Sequence, residues 1–342
     1  MIVASAVKSI RVGVLGVGRI GRMHAELLTR QVPGATVAAV FDVFAAGAAQ
    51  VARELGVERA HSAEELLSSD DVDAVAICTS TDTHAGLLVA AARAGKAIFC
   101  EKPVSLDLAE VDRALDAVAA AGVPFQIGFN RRFDPGHASV AEAVRSGQVG
   151  IPHLARIASR DPAPPPIDYV RRSGGLFLDM TIHDFDMARF VTGSEVVEVF
   201  ARGAARIDPA IQAAGDIDTA LISLVHESGC LTSIDNSRQA KYGFDQRVEV
   251  FGSEGVAASE NPPAHAGFVL RADGRSGAAL PYFFRDRYIP SYVREWEAFV
   301  EFVRGERPSP AGISDARAPL VIGLAAGRSL REGRPVAVPL RG

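Results

Sequence analysis

Three glycines constrain the fold of this chain more than any other feature. Residues 9–15, SIRVGVL, alternate in character and are rich in β-branched side chains, the pattern of a buried strand. Gly16, Gly18 and Gly21 follow at once as G-x-G-x-x-G, and RIGRMHAELLTR continues as a helix. Each glycine has a physical task in that setting. Gly16 permits the tight turn, Gly18 lets backbone come close to a pyrophosphate, and Gly21 lets helix and strand pack closely. The helix start, Arg19–Ile20–Gly21, offers unpaired N–H groups and a partial positive charge to phosphates. A second strand, TVAAVFD, ends in Asp42, about 20 residues beyond the glycines, where an acid bonds the adenosine ribose hydroxyls. A carboxylate there repels a 2′-phosphate, and Val43 beside it brings no compensating cation. The pattern therefore predicts NAD in preference to NADP.

The alternation of strands and helices continues. VARELGV, SAEELLSSDDV with its capping serine, TDTHAGLLVAAARAG ending at Gly95, and LAEVDRALDAVAAAG have helical character. DAVAICTS, KAIFCEKP and VPFQIGFN have strand character. This predicts an N-terminal Rossmann domain over residues 1–128, a doubly wound parallel sheet. Ligands bind beyond the carboxyl ends of such strands. Three strand ends are therefore candidate site segments: CTSTDTH, CEKP and GFNRRFD. The first supplies Thr79, Ser80, Thr81 and His84 as candidate cofactor contacts, His84 capping or packing near the nicotinamide end. The second supplies Glu101 and Lys102. Pro103 restricts Lys102 to extended backbone, which aims its ammonium in a fixed direction. Glu101 is either a structural acid or a ligand of the nicotinamide ribose.

The rhythm changes after residue 128. HLARIASRD is strand-like, and PAPPPIDYVRRSGG is a proline-rich loop. SGGLFLDMTIHDFDMARFV, residues 173–191, then spaces Asp179, His183 and Asp186 by four and three. On one continuous helix these share a face, flanked by Ile182, Met187 and Phe190. Asp179 and His183 are either a buried ion pair or an acid/base pair, while Asp186 is more simply structural. VVEVFARGAAR, TALISLVH, CLTSIDNSR, QRVEVFGS, GVAASE and GFVLRAD follow as successive strands. They predict a C-terminal α+β domain over 129–342 with a large, mostly antiparallel open sheet. An open sheet face needs a cover, which predicts a homo-oligomer, dimer or tetramer, formed through it. YVREWEAFVEFVRG and APLVIGLAAGRSLREG are closing helices expected to pack back on the first domain, with Trp296 in the core.

Composition narrows the function classes. The 342 residues carry a net charge of −5, with no basic block for nucleic acid and no membrane-length apolar run. The N-terminal apolar run leads straight into the glycine turn, so no secretory signal is expected. Three cysteines, Cys78, Cys100 and Cys230, are too few and scattered for a disulfide framework or a zinc site. His153 near Asp161, and His183 beside Asp184, lack ligand spacing, so no metal is expected. The expectation is a soluble cytoplasmic protein that binds a small molecule.

GVGRIGRMHAE, CEKP, QIGFNRRFDP, SGGLFLDMTIHDFDMARFV and YGFDQRVEVFGSEG, in this order over nearly the whole chain, resemble the Gfo/Idh/MocA oxidoreductases. E-K-P combined with D-x-x-x-H specifies the family, and DMTIHDFDMARF resembles its inositol-oxidising branch. The resemblance implies NAD-dependent oxidation of myo-inositol to 2-keto-myo-inositol by a homotetramer in inositol catabolism. Other members act on scyllo-inositol, D-chiro-inositol or hexoses. It further implies that Lys102 binds the reacting hydroxyl, that His183 is the acid/base, and that Asp179 completes the triad. Asn130 and Arg131 then border the sugar pocket, Tyr242 and Tyr288 lie near the substrate, and Ser159 faces it. A dinucleotide sensor that had lost turnover would have a broken catalytic set, whereas Lys102, Asp179 and His183 are all present.

Overall fold

Six strands pair in parallel in the order β3-β2-β1-β4-β5-β6: β1 (Ile10–Leu15), β2 (Ala35–Phe41), β3 (Glu58–Arg59), β4 (Ala74–Ile77), β5 (Ala97–Glu101) and β6 (Phe125–Gly128). They are joined by α1 (Arg19–Arg30), α2 (Ala45–Leu55), α3 (Ala63–Ser68), α4 (Thr81–Arg93) and α5 (Leu108–Ala121). The computed structural model describes residues 9–339. It divides the chain into two units, one running through Asn130 and including Tyr292–Arg317, the other comprising Arg131–Ser291 and the chain from Ala318. The first unit is the doubly wound sheet expected from the glycine pattern. Its central strands are buried throughout, Val12, Val14, Ala74, Ala76 and Phe99 being at 0% exposure, as a parallel sheet covered on both faces requires. Strand order reverses between β1 and β4, which makes that pair of carboxyl ends the ligand crevice. Local signals held as well. Ser62 caps α3 by accepting from the Glu65 N–H at 3.1 Å, and Gly95 follows α4 with a positive φ of 69°.

The second unit opens with a 3₁₀ turn at Asn130–Phe133, whose first residue ends the first unit, and α6 (Pro135–Arg145). β7 (Pro152–Arg160), α7 (Ile167–Val170), α8 (Gly175–Asp179), α9 (Ile182–Thr192), β8 (Val196–Ala204) and α10 (Pro209–Ala213) follow. Next come β9 (Thr219–His226), β10 (Leu231–Ser237), β11 (Asp245–Gly252), β12 (Val256–Ser259), β13 (Phe268–Arg271) and β14 (Gly274–Gly277). α11 (Phe284–Val303) and α12 (Ile313–Glu332) precede β15 (Val336–Ala337). The large sheet runs β12-β11-β7-β10-β9-β8-β15 and is antiparallel except for the β7–β10 pair. Two sequence expectations are corrected here. The strand 267–273 does not join this sheet but pairs with β14 in a separate, exposed hairpin. The proline-rich loop contains the short helix α7, whose N-cap is Pro166.

Side chains of the central strands β7, β10 and β11 alternate between two faces over most of their length. Ala155, Ile157, Ser159, Thr232, Ile234, Asn236, Gln246, Val248 and Val250 are buried. Leu154, Leu221, Leu231 and Phe251 are exposed, beside Arg156 paired with Glu249 and Arg160 paired with Asp235. Of these, Leu221 and the paired Arg156, Glu249, Arg160 and Asp235 line a shallow groove on the sheet's open face with Arg247 and Ser233.

Candidate active site

In the first unit, the crevice is shaped by absent side chains. Gly16 has a φ of +86°, and a Cβ there would lie 2.7 Å from the Thr79 nitrogen and 2.8 Å from the Cys78 oxygen. A Cβ on Gly21 would stand 1.8 Å from the Gly16 oxygen, so α1 approaches the turn as closely as backbone allows. Beside Gly18 there is open space, and no side chain caps α1. The first-turn N–H groups of Arg19, Ile20 and Gly21 thus form an end suited to an anion. Asp42 accepts from the Val17 N–H and from the Phe44 N–H, both at 2.8 Å, which pins its carboxylate to the glycine turn. Val43 is exposed and brings no cation to it. This cradle fits a dinucleotide: glycines where phosphates need room, a helix end for their charge, and an acid for ribose hydroxyls.

The next two strand ends are tied together. His84, buried on α4, places Nδ1 2.8 Å from the Pro103 oxygen and Nε2 3.0 Å from the Thr79 oxygen. The Thr79–Ser80–Thr81 turn and the Lys102–Pro103 turn are therefore held by one side chain. Lys102 directly follows β5 and is half-buried. Glu101 faces His24, as described below.

In the second unit, the expectation of a single helix bearing Asp179, His183 and Asp186 on one face is corrected. The helix breaks at Met180–Thr181, where the Thr181 N–H reaches back five residues to the Leu176 oxygen at 3.0 Å. Thr181 is fully buried, and its hydroxyl donates to Asn236 Oδ1 at 2.6 Å. The break is thus made by a side-chain bond to the sheet rather than by proline or glycine. Asp179 ends α8, where Tyr169 donates to one carboxylate oxygen at 2.8 Å and Arg238 to the other at 3.0 Å. His183 is the second residue of α9 and is partly exposed. Asp186 is a structural acid, buried and bound by Arg132 through Nε at 2.8 Å and Nη2 at 2.6 Å.

A buried polar chain lies next to His183. Arg131 donates to Asp184 at 2.7 Å and to Ser159 at 3.2 Å. Ser159 donates to Gln246 at 3.0 Å, and Asn236 donates to Asp184 at 2.8 Å. Register explains the grouping, because Ser159 is the cross-strand neighbour of both Asn236 and Gln246. Burial pushes the Asp184 carboxyl up despite the pull of Arg131 and Asn236. Tyr288 is buried, its hydroxyl has no hydrogen-bond partner, and burial pushes it up to about 12 against the opposing pull of Arg131 and Arg287. Asn130 Nδ2, at the end of the first unit, is likewise buried without a partner. Tyr242 differs from the others. It is exposed, accepts from Arg160 at 2.9 Å and donates to Asp245 at 2.7 Å. The sequence reasoning missed Asp184 as a hub, together with Asn236, Gln246, Arg238 and His24. The signal for Asn236 and Gln246 was present, since each is a polar residue at an inward position of an alternating strand. Among the described residues, no group of three or more His, Cys, Asp or Glu is placed to hold a metal ion.

Comparison with known proteins agrees with this geometry. Residues 10–129 match the model of the oxidoreductase family with NAD-binding Rossmann fold, and residues 137–258 match the Gfo/Idh/MocA C-terminal domain. The chain belongs to the Gfo/Idh/MocA family of NAD-binding oxidoreductases. It is 47% identical to myo-inositol 2-dehydrogenase of Thermotoga maritima, over 95% of this chain and 98% of that one. It is 44% identical to inositol 2-dehydrogenase of Rhizobium meliloti, over 96% and 99%. Among solved structures it is similar to scyllo-inositol dehydrogenase of Lactobacillus casei with bound NAD(H) and scyllo-inositol. That match has a TM-score of 0.90 and 29% identity, covering 97% of this chain and 99% of that one.

Proposed function

We propose that the protein oxidises myo-inositol to 2-keto-myo-inositol with NAD. The observation that carries this reading is the 47% identity, over 95% of the chain, to myo-inositol 2-dehydrogenase, with E-K-P and D-x-x-x-H both in place. Bound NAD supplies an acceptor for the hydride that leaves the carbinol carbon. His183 takes the hydroxyl proton. An alcohol is about as weak an acid as water, near 15.7, so a positioned base with a reference pKa of about 6.5 contributes about 10²–10⁴-fold. The Lys102 ammonium stabilises the developing alkoxide. Asp179, steadied by Tyr169 and Arg238, orients the imidazole and favours its cationic form.

Asn130, Arg131, Ser159, Tyr242 and Tyr288 are assigned to the polyol hydroxyls. The unpartnered buried groups of Asn130 and Tyr288 support their part in this, and the sequence pattern alone supports Tyr242. Gly16, Gly18, Arg19, Ile20, Gly21, Asp42, Thr79, Ser80, Thr81, His84, Glu101 and Lys102 are assigned to NAD, Glu101 taking the nicotinamide ribose. NADH formation with myo-inositol, scyllo-inositol, D-chiro-inositol and glucose tests the reading, in native enzyme and His183→Ala. The expected result is a myo-inositol preference that collapses in the variant; undiminished activity there would remove His183 from the chemistry. A preference for scyllo-inositol is the second reading, favoured by the match to a structure holding that polyol.

The open face of the large sheet is assigned to contact between copies, giving a dimer or tetramer. Its exposed Leu154, Leu221, Leu231 and Phe251 support this. Light scattering on Leu221→Glu is expected to show a smaller assembly than the native protein, and an unchanged mass would sink the assignment. No helix among the described residues is long and apolar enough to cross a membrane. The three cysteines are free thiols, which supports a reducing, cytoplasmic setting. Fractionation of the source cells, with the protein found outside the cytoplasm, would overturn that placement.

A further inference from the structure

His24 lies on α1 at 0% exposure, and nothing in the chemistry above requires a histidine there. Its two ring nitrogens have different partners. The Trp296 indole donates to Nδ1 at 2.8 Å, and Nε2 lies 2.8 Å from Glu101 Oε1. An indole N–H can only donate. Nδ1 therefore accepts and carries no proton, so the ring proton sits on Nε2 and is donated to Glu101. The ring is also held sterically. Phe99, Tyr292 and Trp296 meet it edge-on at 5.3, 5.4 and 5.7 Å between centroids, and Phe99 stacks on Trp296 at 4.4 Å. Glu101 is the last residue of β5 and directly precedes Lys102. A Cβ on Gly128 of the neighbouring strand would lie 3.3 Å from its carboxyl, so the space Glu101 occupies depends on that glycine.

We propose that Trp296 and His24 are positioning residues for NAD. The indole fixes the imidazole as its Nε2–H tautomer, and the imidazole holds the Glu101 carboxylate as a fixed acceptor for the nicotinamide ribose hydroxyls. This rests on the assignment of Glu101 to that ribose. A merely structural role would have the same three side chains pin α1 to β5 and α11 with no consequence for the cofactor.

Trp296 is the only tryptophan in the chain. Biosynthetic replacement of tryptophan by benzothienylalanine therefore exchanges one N–H for sulfur, with almost no change of shape, at this position alone. NAD affinity is measured by titration calorimetry, alongside kcat and KM for NAD. The sulfur-substituted protein is expected to bind NAD about fivefold more weakly, and His24→Leu about tenfold, the size of a hydrogen bond to a charged group. In both, kcat at saturating NAD stays within about twofold. His24→Gln still offers an N–H to Glu101 and is expected to recover most of the affinity. Unchanged NAD affinity in the sulfur-substituted protein would overturn the proposal, as would equal losses in the glutamine and leucine variants. Glu101→Gln separates the two layers. If it leaves NAD affinity unchanged, the ribose assignment fails and the proposal with it. If it weakens NAD while the sulfur substitution does not, the positioning role alone fails.

Discussion

Replacing Asp184 with asparagine removes one charge from the centre of the buried polar chain. Asp184 is at 0% exposure, and the guanidinium that faces it at 2.7 Å belongs to a side chain only 9% exposed. Both charges were taken out of water, so each depends on the other more than a surface pair would. Breaking one half of such a pair costs about 3–5 kcal/mol. Asparagine keeps the volume and one acceptor oxygen, which places Asp184→Asn near the lower end, about 3 kcal/mol. Its amide nitrogen must also face either the Arg131 guanidinium or the Asn236 amide, both of which are donors here. With an unfolding entropy of about 2.1 cal/mol/K per residue, a unit of this size loses about 8 °C of Tm. Thermal unfolding followed by circular dichroism measures the shift. A double-mutant cycle with Arg131→Met then measures the coupling. The double variant should be less damaged than the two single losses added together, by at least about 1 kcal/mol. A Tm drop below about 2 °C, or losses additive within about 0.5 kcal/mol, would refute the account of Asp184 as a charge held by Arg131.

Gly21→Ala places a methyl 1.8 Å from the Gly16 oxygen, so α1 must move away from the turn. Calorimetry should show NAD affinity falling by at least about tenfold, a loss of about 1.4 kcal/mol, and near-native affinity would mean that close approach is not required. His137 is buried on α6, and burial together with Arg287 and Arg131 lowers its pKa to about 4 despite Asp134. The unfolded imidazole titrates near 6.5, so between these values the unfolded state binds more protons. Stability is then fully present above about 6.5 and is lost as pH falls toward 4, by about 2 kcal/mol between pH 7 and 5. Urea unfolding at those two pH values should show this part of the loss disappear in His137→Gln; an unchanged difference would place the acid sensitivity elsewhere.

The glycine turn, the parallel sheet and the cap at Ser62 were legible because each is dictated within about 20 residues of chain. The polar chain around Arg131 was not, because register assembles it. Ser159, Asn236 and Gln246 stand on three strands, and only the alignment of β7 with β10 and β11 makes them neighbours. The same holds for the helix break. Thr181 carries no breaking signal of its own, and its partner Asn236 lies 55 residues away. His24 and Trp296 are 272 residues apart. Parity nevertheless left a trace. β7 alternates Leu154, Arg156 and Ala158 outward with Ala155, Ile157 and Ser159 inward, and only the last inward residue is polar. β10 likewise ends with Ile234 then Asn236, though its first inward residue, Thr232, is also polar and meets His226, and β11 runs in reverse with Gln246 before Val248. In all three strands a polar inward residue sits at the end that carries Arg131, Asp184 and the helix break. A slip of one residue in β7 would turn Ser159 outward and put Arg160 against Asp184 and Asn236. The register that covers the apolar part of the sheet is therefore the same register that builds the polar support beside His183, and neither can be altered without the other.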